Sequence, residues 1–185
     1  MFKKIIAMTA VTLITSSVAL GNYHFKPNNG KVSFKTKGWP SLITIKGESK
    51  GVQGELKEMD GKVSGALSFD LQTLKTGISL RDDHMKNKYL EVTKYPKATL
   101  TLKNLMLPEK NSGDVPFKGL LKIHGVEKEV KGKVTLESGS DGKEVKMKGE
   151  IPIKLADFKI EIPSYKGITV AETVKVFIES KVLKN

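Results

Sequence analysis

Polar side chains that could do chemistry stand together near the middle of the chain: Arg81, Asp82, Asp83 and His84. A carboxylate beside an imidazole can act as an acid–base pair, and an arginine can bind a phosphate or a carbonyl group through several N–H donors. Ser79, three residues before Asp82, resembles the start of a helix with a capping pair. We therefore expect one short helical insertion around residues 79–90, which presents these groups close together.

The sequence leaves several interpretations of this cluster open. We favour a structural network of Ser79, Arg81, Asp82 and His84 that caps the helix and satisfies buried donors. The cluster could instead contact the head group of a ligand, or Asp82 and His84 could form an acid–base pair. A metal site would need a second imidazole, from His24 or His124. No phosphate loop, nucleophile elbow, paired cysteines or HExxH motif is present, so we assign no catalytic residue and no metal.

The sequence on both sides of this cluster alternates apolar and polar residues, which predicts β-strands. Strands are expected over residues 31–37, 42–49, 52–58, 62–71, 98–107, 115–123, 126–137, 143–155 and 171–182. Long strands with one apolar face and short connections favour a closed sheet, because closure removes the edges that invite aggregation. We therefore predict an all-β protein, a closed antiparallel barrel of about eight strands.

Residues 1–19 begin with two lysines, continue with an apolar run and end in Ser17-Val18-Ala19. This pattern is typical of a secretory signal peptide that is cut near Ala19. We expect export to the periplasm or the medium, with residues 20–185 as a single domain. The chain has no cysteine, so an exported product must be stabilised by core packing without disulfides.

The charge of the chain is strongly basic, with a formal net charge of +12. Such a charge attracts anionic partners, among them nucleic acids and membranes. The lysines alternate with apolar residues and do not form a stripe with aromatic residues, so nucleic-acid binding is not expected. Transient contact with an anionic membrane surface stays open, as does the choice between a monomer and a homodimer.

Short motifs occur in a fixed order along the chain: Leu74-Lys75-Thr76-Gly77, Arg81-Asp82, His84-Met85, Tyr95-Pro96, Lys118-Gly119-Leu120-Leu121, His124-Gly125-Val126 with Lys128, and Asp157-Phe158. Together they resemble the YceI-like family of exported bacterial proteins. The resemblance implies an elongated lipocalin-like (calycin-like) barrel whose apolar pore takes a long-chain amphiphile, an isoprenoid or quinone-like lipid, without catalysis. Ser49 stands near a place where the family often has phenylalanine, and Lys159 where it often has glycine.

An apolar pore of this kind would hold a lipid tail against inward side chains, and Arg81 would meet the polar head near one mouth. Lys86 and Lys88 are further basic candidates. The predicted ligand-binding residues are Phe34, Leu67, Phe69, Leu71, Arg81, His84, Leu100, Leu121, Val134, Met147, Ile151, Val176 and Ile178. No cofactor is expected besides the lipid. The alternatives are an interaction or stress-related barrel without lipid, and an acid–base enzyme that uses Asp82 and His84.

Overall fold

The computed structural model describes residues 21–25, 30–40, 43–106, 113–138 and 144–184. The predicted signal peptide lies outside these residues. The strands are β1 (Gly21–Phe25), β2 (Gly30–Trp39), β3 (Ile43–Lys50), β4 (Val52–Met59), β5 (Lys62–Asp70), β6 (Lys97–Met106), β7 (Val115–Ile123), β8 (Val126–Ser138), β9 (Glu144–Lys154), β10 (Ser164–Tyr165), β11 (Ile168–Val170) and β12 (Thr173–Lys184). The strand pairs are antiparallel, which confirms the all-β prediction.

The described strands form one sheet in the order β1-β4-β5-β6-β7-β8-β9-β12-β2-β11-β10, with β3 on the outer edge of β2. Strand β2 occupies the edge of β12 from Lys175 to Ser180, so β1 meets β12 only at its last residues, Leu183 and Lys184. The prediction of a closed barrel of about eight strands is therefore wrong. The sheet has twelve strands, and hydrogen bonds do not close it along the length of the described strands.

A helical insertion separates β5 from β6, as predicted. It consists of a 3₁₀ turn (Leu71–Thr73), helix α1 (Ser79–Asp83) and a π-helical segment (His84–Tyr89). The predicted capping by Ser79 is wrong, because the N-cap residue is Ile78, which makes no side-chain cap hydrogen bond. None of the helices in the described ranges has the length and apolar character that crossing a bilayer requires.

The inward-facing side chains fill the space inside the sheet at one end. At this filled end, which carries the β4–β5 turn, the side chains of Leu56, Val63, Val145 and Val182 are almost wholly buried. The opposite end carries the helical insertion, the end of β2 and the segment from residue 155 to 170. We call it the hollow end, because the strand faces there leave space between them.

Gly65 lies where the pairing of β5 with β6 shifts register after Val63. Its φ angle is +152°, and a Cβ atom at this position would lie 2.2 Å from the carbonyl oxygen of Glu55. Only glycine fits this backbone conformation and this close approach of the neighbouring strand. From Val63 to Gly65, β5 advances two residues while β6 advances three, from Leu105 to Leu102, so the extra residue of this β-bulge lies on β6 beside Gly65.

We expect Gly65→Ala to lower the free energy of unfolding by about 1–3 kcal/mol, because the added methyl group meets backbone atoms that cannot move aside. Gly149→Ala is the matched control, since its Cβ would lie 3.9 Å from its nearest neighbours. Urea unfolding of both variants measures the effect. Equal stability of the two variants would show that position 65 does not need glycine.

Candidate ligand-binding cavity

The hollow end encloses a cavity of about 420 Å³, which lies within the usual range for small-molecule sites. Its wall is largely apolar and includes most of the predicted ligand-binding residues: Phe34, Leu67, Phe69, Leu71, Arg81, His84, Leu100, Leu121, Ile151, Val176 and Ile178. Val134 and Met147 lie elsewhere, in the packed core toward the filled end of β8 and β9. The structure thus brings together the inward residues of the hollow half, and their contact with a ligand stays a prediction.

Part of the cavity wall comes from residues outside the long strands, which sequence reasoning did not select: Leu74, Leu80, Tyr89, Leu155, Ile160 and Ile168. Most of these residues lie in turns, in helical segments or in a three-residue strand, where no long alternation marks an inward face. The approximately helical spacing of Leu80, Met85 and Tyr89 was the available signal. These residues close the hollow end over the strands.

Arg81 and Asp82 both form hydrogen bonds with Thr76. Thr76 belongs to the Leu74-Lys75-Thr76-Gly77 motif, but the sequence analysis predicted no role for it. The Arg81 Nε donates to Thr76 Oγ1 at 2.8 Å, and Nη2 donates to the Thr76 carbonyl oxygen at 3.0 Å. The Thr76 hydroxyl in turn donates to Asp82 Oδ1, which also accepts the Thr76 backbone N–H at 2.7 Å. The predicted structural network therefore includes Arg81 and Asp82, with Thr76 as the bridge and without Ser79.

Arg81, in the cavity wall, has N–H donors that its hydrogen bonds to Thr76 do not use. A guanidinium has five N–H donors, and two of them bind Thr76. The Nη1 group and the second Nη2 hydrogen have no partner among the described residues. Arg81 is half-buried and lines the cavity, so these donors can serve a polar group at its mouth.

His84 lies apart from this network. Its ring contacts the ring of Tyr165 edge-on, with 5.6 Å between the centroids, and it also lines the cavity. Among the described residues no hydrogen bond joins His84 to Asp82, whose Oδ1 is held by Thr76. The described part of the chain also contains no cluster of three or more metal-binding side chains. These contacts favour a role for His84 in shaping the cavity mouth over a role in acid–base catalysis.

His124 forms a second polar contact at the hollow end, beside the cavity. Its Nδ1 lies 3.1 Å from the carbonyl oxygen of Phe158, and its Nε2 lies 2.7 Å from Glu91 Oε2. Both partners are hydrogen-bond acceptors, one for each ring nitrogen. The contact ties the β7–β8 turn to the insertion and to the segment after β9.

Neighbouring motif residues complete this junction. The Tyr95 ring packs edge-on against His124, with centroids 5.0 Å apart, and leaves no room for a side chain on Gly125, whose Cβ would lie 2.6 Å from that ring. Lys159 has a φ angle of +56°, a conformation that glycine adopts more easily. The Tyr95-Pro96 and His124-Gly125-Val126 motifs therefore contact each other at the hollow end.

Ser49 connects β3 to the insertion. It is buried and shares a hydrogen bond with the Thr73 hydroxyl, while the backbones of Glu48 and Lys75 exchange hydrogen bonds of 2.8 and 2.9 Å. A phenylalanine at position 49 could not make the side-chain contact. These three hydrogen bonds join β3 to the insertion.

Fold and cavity together define an antiparallel, barrel-like β-protein with an apolar internal cavity at one end. A family model for the YceI-like domain matches residues 23–182. The chain therefore belongs to the YceI-like family, as its motifs indicated. Comparison with curated protein sequences gave no match.

Solved structures share the fold. A polyisoprenoid binding domain from Saccharophagus degradans superimposes with a TM-score of 0.68 at 16% identity, covering 88% of this chain and 98% of that one. BcnA of Burkholderia cenocepacia gives 0.65 at 22% identity, with 83% and 95% covered. The YceI protein of Campylobacter jejuni gives 0.58 at 20% identity, with 78% and 87% covered. At these identities the likeness establishes the fold.

We expect His124→Ala to lower the free energy of unfolding by about 1–3 kcal/mol, because Glu91 and the Phe158 carbonyl lose a shared, largely buried partner. His84→Ala is the comparison, since its ring makes an edge contact at the mouth and should cost clearly less. Thermal and urea unfolding measure both. A loss for His84→Ala as large as that for His124→Ala would contradict the assignment.

Proposed function

We propose that this protein binds a long-chain amphiphilic lipid, an isoprenoid or a quinone-like molecule, with its tail in the cavity. The observation that carries the proposal is the apolar cavity of about 420 Å³ with the guanidinium of Arg81 in its wall. Residues 1–19 have the composition of a signal peptide, so the proposal includes export to the periplasm or the medium. The lipid is carried or sequestered and not chemically changed.

The hydrophobic effect supplies the driving force for tail binding. Removing apolar surface from water is favourable by roughly 25 cal/mol per Å², so a tail that fills the cavity gains several kcal/mol before the cost of ordering it. A cavity wall of leucine, isoleucine, valine and phenylalanine offers few hydrogen bonds, so it selects for an apolar chain. It does not by itself select among tail chemistries.

The polar end of the ligand would be recognised at Arg81. Its unoccupied donors match the oxygens of a phosphate or a carbonyl group, and its contacts with Thr76 hold the guanidinium in place. The structural neighbour from Saccharophagus degradans, a polyisoprenoid binding domain, supports the ligand class through a shared fold. The enzyme alternative has no comparable support, because Asp82 and His84 face different partners.

The proposal is tested by native mass spectrometry of protein from a bacterial periplasm, followed by organic extraction. We expect one long-chain lipid per chain and a protein mass that corresponds to residues 20–185. A bare protein that also refuses added isoprenoids, quinones and fatty acids would refute lipid binding. A mass that includes residues 1–19 would refute cleavage of a signal peptide.

Filling the cavity tests the place of the tail. Ala98 lines the cavity on β6, whereas Ala66 on the adjacent strand is exposed on the outer face. We expect Ala98→Phe to reduce the amount of copurified lipid at least about tenfold, because the ring takes up space that the tail needs. Ala66→Phe should keep the lipid, and unchanged occupancy in Ala98→Phe would place the tail elsewhere.

Removing the guanidinium tests the place of the head group. We expect Arg81→Ala to weaken binding of a phosphate-bearing isoprenoid about tenfold or more, since a hydrogen bond to a charged group contributes about 1.5–3 kcal/mol. Binding of an isoprenoid hydrocarbon should change little. Lys86→Ala is the control from the same insertion. Equal affinities of Arg81→Ala and the native protein for both ligands would remove Arg81 from the site.

A further inference from the structure

Large apolar side chains surround the cavity mouth on the outside of the molecule. The mouth rim consists of Trp39, Ile43, Ile78, Leu80 and Tyr165, each at least 39% exposed, with Trp39 at 66%. All but Trp39 also line the cavity, so the rim is continuous with the interior. Exposed apolar groups that cluster in this way usually mark a contact surface.

The rim is assembled from three separate segments. Gly38 pairs with both Ile43 and Val170, which places the ends of β2, β3 and β11 side by side. Tyr165 pairs with Ile168 in the β10–β11 hairpin and contacts His84, which follows helix α1. Sequence neighbours alone would not produce this patch, so it is a product of the fold.

Charge differs between the two ends of the sheet. At the filled end, lysines are matched by carboxylates: Lys133 with Asp114 at 3.4 Å, Lys148 with Glu137 at 3.0 Å and Lys181 with Glu144 at 3.1 Å. The hydrogen bond and charge of Lys148 lower the pKa of Glu137, and Glu137 raises the pKa of Lys148 in return. Lys57, Lys62, Lys103 and Lys146 also lie toward this end and make no ion pair among the described residues, so these pairs offset only part of its positive charge.

Lysines near the rim lack such partners. Among the described residues, no ion pair involves Lys37, Lys46, Lys75, Lys88 or Lys166. The three segments that carry the rim, residues 37–46, 75–97 and 159–170, contain ten Lys and Arg side chains and only four Asp and Glu side chains. The hollow end therefore carries a surplus of positive charge around an apolar rim.

We propose that the mouth rim docks on the surface of an anionic lipid bilayer. Tryptophan and tyrosine favour the membrane interface, and lysines reach from its edge to anionic head groups. The rim contains Trp39 and Tyr165, and lysines surround it. Docking in this orientation faces the cavity mouth toward the acyl chains, so a lipid tail passes between bilayer and cavity without crossing water. The transfer step rests on the proposed lipid binding, whereas the docking does not.

Trp39 is the only tryptophan in the chain and lies in the rim, so its fluorescence reports docking directly. The full protein is titrated with vesicles of phosphatidylcholine and phosphatidylglycerol, some with brominated acyl chains, and with vesicles of phosphatidylcholine alone. We expect a blue shift and bromine quenching with anionic vesicles, both weakened by added salt. No change in Trp39 emission, or quenching that is equal without phosphatidylglycerol, would overturn the proposal.

Two double variants distinguish binding through the rim from nonspecific binding through any exposed apolar side chain. I78S/L80S removes rim side chains, and M59S/M106S removes comparably exposed apolar side chains near the β4–β5 turn and the end of β6. We expect about a tenfold loss of vesicle cosedimentation for the first and none for the second. Equal losses would overturn rim docking. A Trp39 shift that depends on protein concentration without vesicles would also overturn it, since it would assign the rim to contact between copies.

The same native preparation is extracted for bound lipid, which keeps the two proposals apart. Bound lipid without a Trp39 response to vesicles would refute docking and leave lipid binding intact. A Trp39 response from a protein that binds no lipid would support docking and refute lipid carriage.

Discussion

The strands of this protein carry their apolar side chains on one face, and that face must be removed from water. A single antiparallel sheet can do so by curving around its own apolar side, which brings the inward residues of distant strands together. The β-bulge on β6 beside Gly65 favours bending of the sheet. At the filled end the enclosed side chains meet, whereas at the hollow end the strand faces leave a cavity between them. The packed core and the cavity therefore both lie inside the same curved sheet.

Side-chain packing fills the hollow end only in part, although Leu71, Phe158 and Ile160 are buried there, so this end has further means of support. Polar contacts take this role: Thr76 joins Arg81 to Asp82, and His124 joins Glu91 to the Phe158 carbonyl oxygen. Several motifs that carry the family resemblance belong to these contacts. Their residues shape and hold the cavity end, and Arg81 alone among the charged ones in the network also faces the cavity.

The cavity, the apolar rim and the surplus of cationic side chains around that rim lie at the same end of the sheet. An apolar tail can enter only where the wall is open, and the side chains around the opening are themselves apolar and exposed. Positive charge around such an opening favours anionic surfaces, while the ion pairs at the filled end reduce that attraction there. The proposed lipid binding and the proposed membrane docking would thus both follow from a sheet that is filled at one end only.

Local patterns in the sequence were sufficient for the all-β class, the helical insertion around residues 79–90 and the family, because alternation and motif order can be read along the chain. The place of β2 on the edge of β12 could not be read in this way, since it depends on which strand edges meet. Nor could the sequence separate Ile151, in the cavity wall, from Met147, in the packed core, although both face inward on β9. Position along the curved sheet decides that difference, and only tertiary contacts between distant residues define it.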